Sequence, residues 1–151
     1  MSGPVRAVRR LRDLLVLETE LGSWLLAVDV AAGVGEKPGD AVRAPAYVVG
    51  RFTARVALAE LLAAGAEPVA LADPVGAEPE PTGREVLRGI RDEAAEAGLD
   101  LPVTGSTEKN LPVVQSSVGV VALGFAPPGA LRLGPARPGE TLWAVGRPKV
   151  G

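Results

Sequence analysis

The most regular feature of the chain is a series of short apolar runs, each bounded by Gly, Pro or polar residues. Runs of this length with such boundaries are typical of β-strands. The predicted strands are residues 14–19, 24–30, 67–72, 101–103 and 113–125. The first two are joined by Glu20-Leu21-Gly22-Ser23, a sequence that favours a hairpin turn.

Two other segments repeat their apolar residues every three or four positions, and this spacing predicts helices. The first runs from Ala46 to Ala64, with Pro45 suited to its start and Gly65 to its end. Its apolar residues at this spacing are Val48, Phe52, Val56, Ala59 and Ala63. We expect them to form one face of the helix.

A capping box predicts where the second helix begins. Thr82 is followed three positions later by Glu85, the pattern in which a hydroxyl and a carboxylate each bond a free backbone N–H. Gly98 is a natural end for this helix. Its apolar face is formed by Val86, Leu87, Ile90, Ala94 and Ala97.

These elements follow one another in the order β-β-α-β-α-β-β. Because a hairpin opens the chain and strands then alternate with helices, we expect an α+β fold in which a mixed sheet packs with helices. The length of 151 residues fits one domain. The last residues, 126–151, are rich in Gly and Pro, with a short apolar run at 141–145.

The absence of Cys and His narrows the chemistry that the chain could perform. It excludes disulfides, thiol nucleophiles, His-based triads and zinc sites built from Cys or His. Catalysis would have to use carboxylates, hydroxyls, Lys, Arg, backbone amides or a hard metal such as Mg²⁺, which prefers oxygen ligands. The core is expected to be aliphatic, because aromatic residues make up only 3% of the chain.

Charge and hydropathy argue against nucleic acid and membranes as partners. The net charge is −2, and no basic block is present that would neutralise a phosphate backbone. Charges interrupt the first residues, unlike a signal peptide, and the uncharged stretches are too short to span a bilayer. We therefore expect a cytoplasmic protein. The one basic cluster, interpreted as a solvated terminal segment, is Arg6, Arg9, Arg10 and Arg12.

Two acidic residues stand out by their positions in apolar segments. Asp29 lies near the end of a predicted strand, and a buried acid is costly unless it is paired or bound to a cation. Asp29 is therefore a candidate metal ligand, although a carboxylate that caps nearby loop amides explains it too. Glu60 interrupts an apolar helical stretch, and here the alternative is the solvent face of an amphipathic helix. Asp13 carries no signal by itself.

Two polar loops that contain glycine could hold phosphate. Residues 105–110 offer backbone amides, two hydroxyls, Lys109 and Asn110, which suit phosphate as well as they suit an ordinary polar turn. Residues 33–40 include Lys37. Neither loop has the P-loop spacing, because no Lys-Ser/Thr pair follows the glycines, and the dinucleotide fingerprint is also missing.

Taken in order, several segments resemble the aminoimidazole-ribonucleotide-synthetase superfamily, also called PurM-like. Leu26-Ala27-Val28-Asp29, followed by a Gly-containing loop, resembles the metal-binding strand of thiamine-monophosphate kinases. Residues 60–68 resemble a helix end of the form Asp-(four residues)-Gly-Ala-x-Pro, with Glu60 in place of Asp. Thr104-Gly105-Ser106-Thr107 resembles a Gly-Gly-Asp/Glu-Thr loop, with Ser106 in place of the acid, and residues 118–124 resemble the strand after it.

The resemblance implies an amino-terminal domain at residues 1–126 that forms a homodimer through its sheet, and an enzyme that uses ATP and Mg²⁺. It implies metal contacts by Asp13, Asp29 and Glu60, with a catalytic role for Asp29. The expected nucleotide contacts are Lys37, Gly105, Ser106, Thr107 and Asn110, with Lys109 as a second catalytic residue. The roles of Lys37, Lys109 and Asn110 are expected from their loop positions alone.

The loops at 33–40 and 105–110 further resemble those of α-ribazole kinases, small-molecule kinases of cobalamin salvage. Two departures matter: Arg12-Asp13 stands where the family has a Gly-Asp-Asp loop, and residues 127–151 resemble the connector to a second domain. A non-catalytic dimerisation or ligand-binding module of the same fold is therefore an alternative. A third possibility is an enzyme of the same superfamily that acts on other substrates, although the absence of Cys argues against a reaction like that of selenophosphate synthetase. The acceptor substrate is left open.

Overall fold

A computed structural model describes residues 4–132, 134, 136–144 and 146. One six-stranded sheet and two helices form the domain, and both helices lie where the apolar spacing predicts them. The strands are β1 (Val5–Leu11), β2 (Leu14–Thr19), β3 (Ser23–Ala32), β4 (Val34–Gly35), β5 (Val42–Arg43), β6 (Glu67–Val75), β7 (Val103–Thr107) and β8 (Ser117–Ala126). The helices are α1 (Ala46–Ala63) and α2 (Arg84–Glu96), the second preceded by a wide helical turn at Pro79–Gly83.

The large sheet has the strand order β1-β2-β3-β8-β6-β7, and β4 pairs separately with β5. Every pairing in the large sheet is antiparallel except β6 with β7, which is parallel. The expectation of an α+β fold with a mixed sheet is therefore confirmed. At the centre, β3 and β8 are paired along ten residues, from Ser23 opposite Ala126 to Ala32 opposite Ser117.

Both helices lie on one face of the sheet, and the core between the two layers is aliphatic. Leu25 and Ala27 of β3, Val16 of β2 and Val120 of β8 are fully buried there. The fully buried side chains of the helices include Leu61 of α1 and Ile90 of α2. None of the described helices is long and apolar enough to cross a membrane.

The opposite face of the sheet is apolar as well and carries no helix. Trp24 of β3 lies opposite Phe125 of β8, with ring centroids 5.0 Å apart. Val28 and Val30 continue the same row along β3, and their exposed fractions are 59% and 63%. Large exposed apolar patches usually mark interaction surfaces. Half-buried or exposed members of this face are Leu15, Leu17, Trp24, Leu26, Val28, Val30, Val69, Val121, Leu123 and Phe125.

The first strand was not predicted by the hydrophobic pattern. Residues expected to form a solvated basic segment instead form β1, an edge strand of the sheet. Arg6 donates to Glu20 at 2.5 Å and Arg9 to Glu18 at 2.6 Å, so the basic side chains meet acids across the hairpin. Three arginines among its seven residues hide the strand from a pattern based on apolar residues.

The apolar stripe predicted on α1 is real but faces outward. Phe52, Val56 and Leu62 are 57%, 42% and 49% exposed, and Ala59 and Ala63 are also exposed. The buried side of α1 is built mainly from small residues, which a search for large apolar positions does not detect. They are Ala46, Val49, Gly50, Thr53, Ala54, Ala57, Leu58 and Leu61.

Two more local expectations are corrected. The capping box at Thr82 and Glu85 does not form, because the Thr82 hydroxyl donates to Glu78 and Gly83 precedes α2 without a side-chain cap. Residues 104–107 belong to β7, whereas a loop was expected to start at residue 104. Pairing with β6 extends this strand beyond its apolar first residues.

Close contact between α1 and α2 depends on glycine. A Cβ atom at Gly89 of α2 would overlap the Tyr47 carbonyl, and one at Gly50 of α1 would overlap the Val86 carbonyl. Beside this crossing, Arg51 and Arg55 both donate to Glu93, at 2.8 and 2.5 Å. The two helices therefore pack backbone against backbone and are joined at their rim by charged hydrogen bonds.

We predict that Gly89→Ala destabilises the domain by about 1–3 kcal/mol, the usual cost of overpacking, despite the better helix propensity of Ala. Urea unfolding would measure the change. Gly134→Ala is the matched control, because a Cβ there meets nothing within 4 Å. Equal stability of the two variants would contradict the packing described here.

Candidate functional site

Three acids predicted as metal ligands are brought to one end of the sheet. Asp29 continues the inward-facing row of Leu25 and Ala27 on β3, so its carboxylate faces the helix layer. Asp13 lies in the tight turn between β1 and β2, and Glu60 lies on α1. All three line one depression with a volume of 450 Å³.

Glu60 is the member of this group with the most unusual environment. Its Oε2 atom is buried and has no hydrogen-bond partner, the only such side-chain atom in the described part of the chain. Burial raises the pKa of Glu60, and the negative charges of Asp13 and Asp29 raise it further. A carboxylate in such an environment is stabilised either by a proton or by a bound cation.

The fit of Mg²⁺ to this depression can be judged from the donors present. Carboxylate oxygens are the ligands that Mg²⁺ prefers, and the orphaned oxygen of Glu60 is available for one bond. However, no three acidic side chains among the described residues are spaced to hold one metal ion by themselves. A cation in this depression would have to take its other ligands from water and phosphate, as Mg²⁺ does when it binds with a nucleotide.

A second depression, with a volume of 440 Å³, lies on the other side of Asp29. It is lined by Ser106 and Thr107 at the end of β7, and by Glu108. Asp29 belongs to both depressions. Val28 belongs to both depressions as well, so the expected nucleotide contacts Ser106 and Thr107 lie in a depression that adjoins the one lined by the three acids.

The other expected contact residues are placed differently. Gly105 lies under the buried carboxylate of Asp73 on β6, and any side chain at position 105 would overlap that carboxylate. Lys109 and Asn110 are exposed, and the Asn110 N–H donates to Glu108 at 2.7 Å. None of these three lines the two depressions.

Lys37 is already engaged with a carboxylate. Its ammonium donates to Glu78, and the Lys37 side chain is only 14% exposed. Burial raises the pKa of Glu78, but hydrogen bonds from Lys37 and Thr82 outweigh it and lower the pKa to about 2. Lys37 thus links the loop after β3 to the segment before α2, a structural role that competes with phosphate binding.

Asp40 is a buried acid with several hydrogen bonds, and its position in the sequence did not single it out. Its carboxylate accepts hydrogen bonds from the Ser116 N–H at 2.7 Å, the Ser116 hydroxyl at 2.8 Å and the Lys37 N–H at 2.8 Å. Burial raises the pKa of Asp40, and these donors more than reverse that effect. Asp40 fastens the loop after β3 to the start of β8. Only the contact between residues far apart in sequence reveals this.

The chain is thus an α+β domain built from a mixed six-stranded sheet and two helices. Residues 14–126 match the family described as AIR synthase related protein, N-terminal domain. The chain therefore belongs to this family. No curated protein is significantly similar to it in sequence.

Solved structures of larger proteins share the fold. PurLQS from Thermotoga maritima has a TM-score of 0.57 at 16% identity, covering 79% of this chain and 21% of that one. The protein tt0281 from Thermus thermophilus has a TM-score of 0.61 at 20% identity, with 79% and 37% covered. AaThiL complexed with AMPPCP and TMP has a TM-score of 0.54 at 16% identity, with 76% and 36% covered. The chain thus spans well under half the length of each.

We predict that Glu60→Gln raises the melting temperature at neutral pH when no divalent cation is present. The folded pKa of Glu60 lies above its ordinary value of 4.5, so the stability present below pH 4.5 is lost as the pH rises through the folded pKa. An amide avoids that loss and donates to the neighbouring acids. Melting curves from acidic to neutral pH would show the two proteins diverging as the pH rises.

Glu67→Gln is the control, because Glu67 is exposed on β6. Added Mg²⁺ should raise the melting temperature of the wild type and leave Glu60→Gln nearly unchanged. A Glu60→Gln protein that is less stable than the wild type throughout the pH range would contradict this description of the site.

Proposed function

We propose that the chain is the nucleotide-binding, amino-terminal part of an ATP- and Mg²⁺-dependent small-molecule kinase, of the α-ribazole kinase kind. The observation that carries the proposal is the orphaned Glu60 oxygen in a depression that Asp13 and Asp29 also line, next to the depression of Ser106 and Thr107. Membership of the AIR synthase related family supports it. So does AaThiL, a protein of the same fold whose structure was determined with AMPPCP.

The residues of the depression suit phosphoryl transfer because that reaction depends mostly on positioning and charge neutralisation. Mg²⁺, when bound, would neutralise charge on the phosphates. Asp13, Asp29 and Glu60 would hold the cation at the end of the sheet. The Ser106 and Thr107 hydroxyls would donate hydrogen bonds to the transferred group or its acceptor. Lys109 lies two residues beyond the end of β7 and is exposed, so it is close in sequence to the Ser106 and Thr107 hydroxyls.

A second candidate is a dimerisation or ligand-binding module without catalytic activity. It is favoured by Ser106, a hydroxyl where the family pattern has an acid, and by acids that, among the described residues, are not spaced to chelate a metal unaided. Fold alone does not decide between these functions. Absence of Mg·ATP binding would exclude the kinase, and transfer of phosphate from bound Mg·ATP would exclude the inactive module.

We predict that Asp29→Asn weakens Mg·ATP binding at least about tenfold, a loss of roughly 1.4 kcal/mol, because it removes one of the charges that hold the cation. Calorimetric titration of ATP with and without Mg²⁺ would measure it. Asp100→Asn is the matched control, since Asp100 is exposed and lines neither depression. The kinase proposal fails if the wild type binds no Mg·ATP in any assembly state, or if Asp29→Asn binds it unchanged.

We also propose that two copies associate through the uncovered face of the sheet. That face presents a continuous set of apolar side chains around Trp24, Val28 and Phe125. A β-sheet with apolar side chains on both faces needs a second covering layer. A homodimer would supply this layer and would bring the acid depressions of two copies to the edges of the interface.

Val28→Lys is expected to raise the dissociation constant of the dimer by about 10–100-fold, because a charge would be buried in the interface. Analytical ultracentrifugation at micromolar concentration would measure it. Phe52→Lys is the control, a residue equally exposed (57%) but on α1, at the opposite side of the domain. A wild type that is monomeric at these concentrations would refute the dimer.

A further inference from the structure

A smaller pocket adjoins the acid depression and has a mixed lining of charges. Its volume is 150 Å³, and it shares Asp13 and Glu60 with the larger depression. Its remaining charged residues are Arg12 and Arg132. Positive and negative groups thus line the same pocket as Glu60, the residue with the orphaned oxygen.

Arg12 stands in the turn between β1 and β2, where Leu11 pairs with Leu14 and only two residues connect the strands. Its φ is 55°, and it is the only non-glycine residue with a positive φ in the described part of the chain. Two-residue hairpin turns normally place Gly or Asn at such a position. The Arg10 guanidinium donates to the Arg12 carbonyl at 3.1 Å and supports this backbone conformation. Strained backbone conformations cluster at functional sites, so a strained arginine next to acids is a candidate functional residue.

Arg132 reaches the same pocket from a different part of the chain. Its N–H donates to the Ala64 carbonyl at 2.8 Å, just beyond the end of α1 and about one helical turn from Glu60. This bond fixes the segment after β8 against the helix. In the described residues, the ion pair at this turn joins Arg10 to Asp13 at 3.9 Å, and neither Arg12 nor Arg132 is paired with a carboxylate.

We propose that Arg12 and Arg132 form an anion-binding wall that holds a phosphate group against the cation at Asp13, Asp29 and Glu60. This inference rests on the proposed function and assigns it two further binding residues. Guanidinium groups bind phosphate through paired N–H donors, so two of them flanking one pocket suit a single phosphate. Arg10, which is paired with Asp13, lines the acid depression too, so three guanidiniums balance the three carboxylates and a divalent cation makes the site net positive. We therefore expect a divalent cation to strengthen phosphate binding.

The strain at Arg12 allows a test that distinguishes phosphate binding by its guanidinium from a structural role in the turn. Arg12→Gly removes both the guanidinium and the steric penalty of the positive φ. We expect this variant to melt at a higher temperature than the wild type and yet to bind Mg·ATP at least about tenfold more weakly. Arg12→Lys keeps a charge without the paired donors and should fall between the two in affinity. Arg137→Ala is the control, an exposed arginine outside the pocket.

The origin of the phosphate is distinguished by titrating Mg·ATP, Mg·ADP and inorganic phosphate with Mg²⁺ into the wild type, Arg12→Gly and Arg132→Ala. Weaker ATP binding with unchanged ADP binding would assign the pocket to the terminal phosphate of the nucleotide. Loss of inorganic phosphate binding alone would assign it to a phosphate from another molecule. Both results support the wall of arginines.

The inference is overturned if Arg12→Gly and Arg132→Ala bind all three probes as Arg137→Ala does. That result, together with weaker binding by Asp29→Asn, would leave the proposed function intact and reject only the arginine wall. A wild type that binds neither nucleotide nor inorganic phosphate would reject both. A lower melting temperature for Arg12→Gly would show that the positive φ is not a strain that glycine relieves.

Discussion

The register between β3 and β8 is the constraint on which the rest of the domain depends. Ten consecutive pairs fix which side chains of the central strands face the helices. Because side chains alternate along a strand, a shift of one residue would exchange the two faces. Leu25 and Ala27 would leave the core, and Asp29 would turn away from α1. The same register that builds the hydrophobic layer therefore also places an acid beside Glu60.

This arrangement concentrates like charge where the protein is otherwise apolar. Leu61 is fully buried in the core, and its neighbour Glu60 carries a carboxylate oxygen without a donor. Two other acids of low exposure have full sets of partners: Asp40 accepts three hydrogen bonds and Glu93 accepts bonds from two arginines. The contrast between these acids and Glu60 is informative, because unsatisfied buried groups are uncommon in folded proteins and call for an explanation.

The apolar runs and the helical spacing were sufficient to predict most elements and the mixed sheet, since burial imposes period two on strands and period 3.6 on helices. β1 was missed because arginines occupy several of its positions and are neutralised by acids on the neighbouring segment. The buried face of α1 was missed because Ala, Gly and Thr form much of it, while larger apolar residues lie outside. Helix spacing alone does not say which of two apolar stripes is covered.

The candidate site was accessible to sequence reasoning only in part. Asp29 and Glu60 stood out by their positions in apolar segments, but only the family resemblance joined them with Asp13 as one site, since no spacing between the three indicates that separate elements meet. Arg12 and Arg132 gave no signal, because a turn conformation and a bond to the end of a helix arise only in the folded chain. Lys37 was a reasonable phosphate ligand from its loop, and its pairing with Glu78 depends on a contact between residues far apart in the sequence.

The strand order also has a consequence for how the chain assembles during synthesis. β1, β2 and β3 are consecutive in the chain and can form a local antiparallel unit early. β6 and β7 emerge later, but β6 has no place beside β3, because β8 lies between them. The last strand of this sheet to leave the ribosome is thus the one that joins its two halves. Until Ala126 has emerged, both halves have an unpaired edge, and α1 has only part of its surface to pack against.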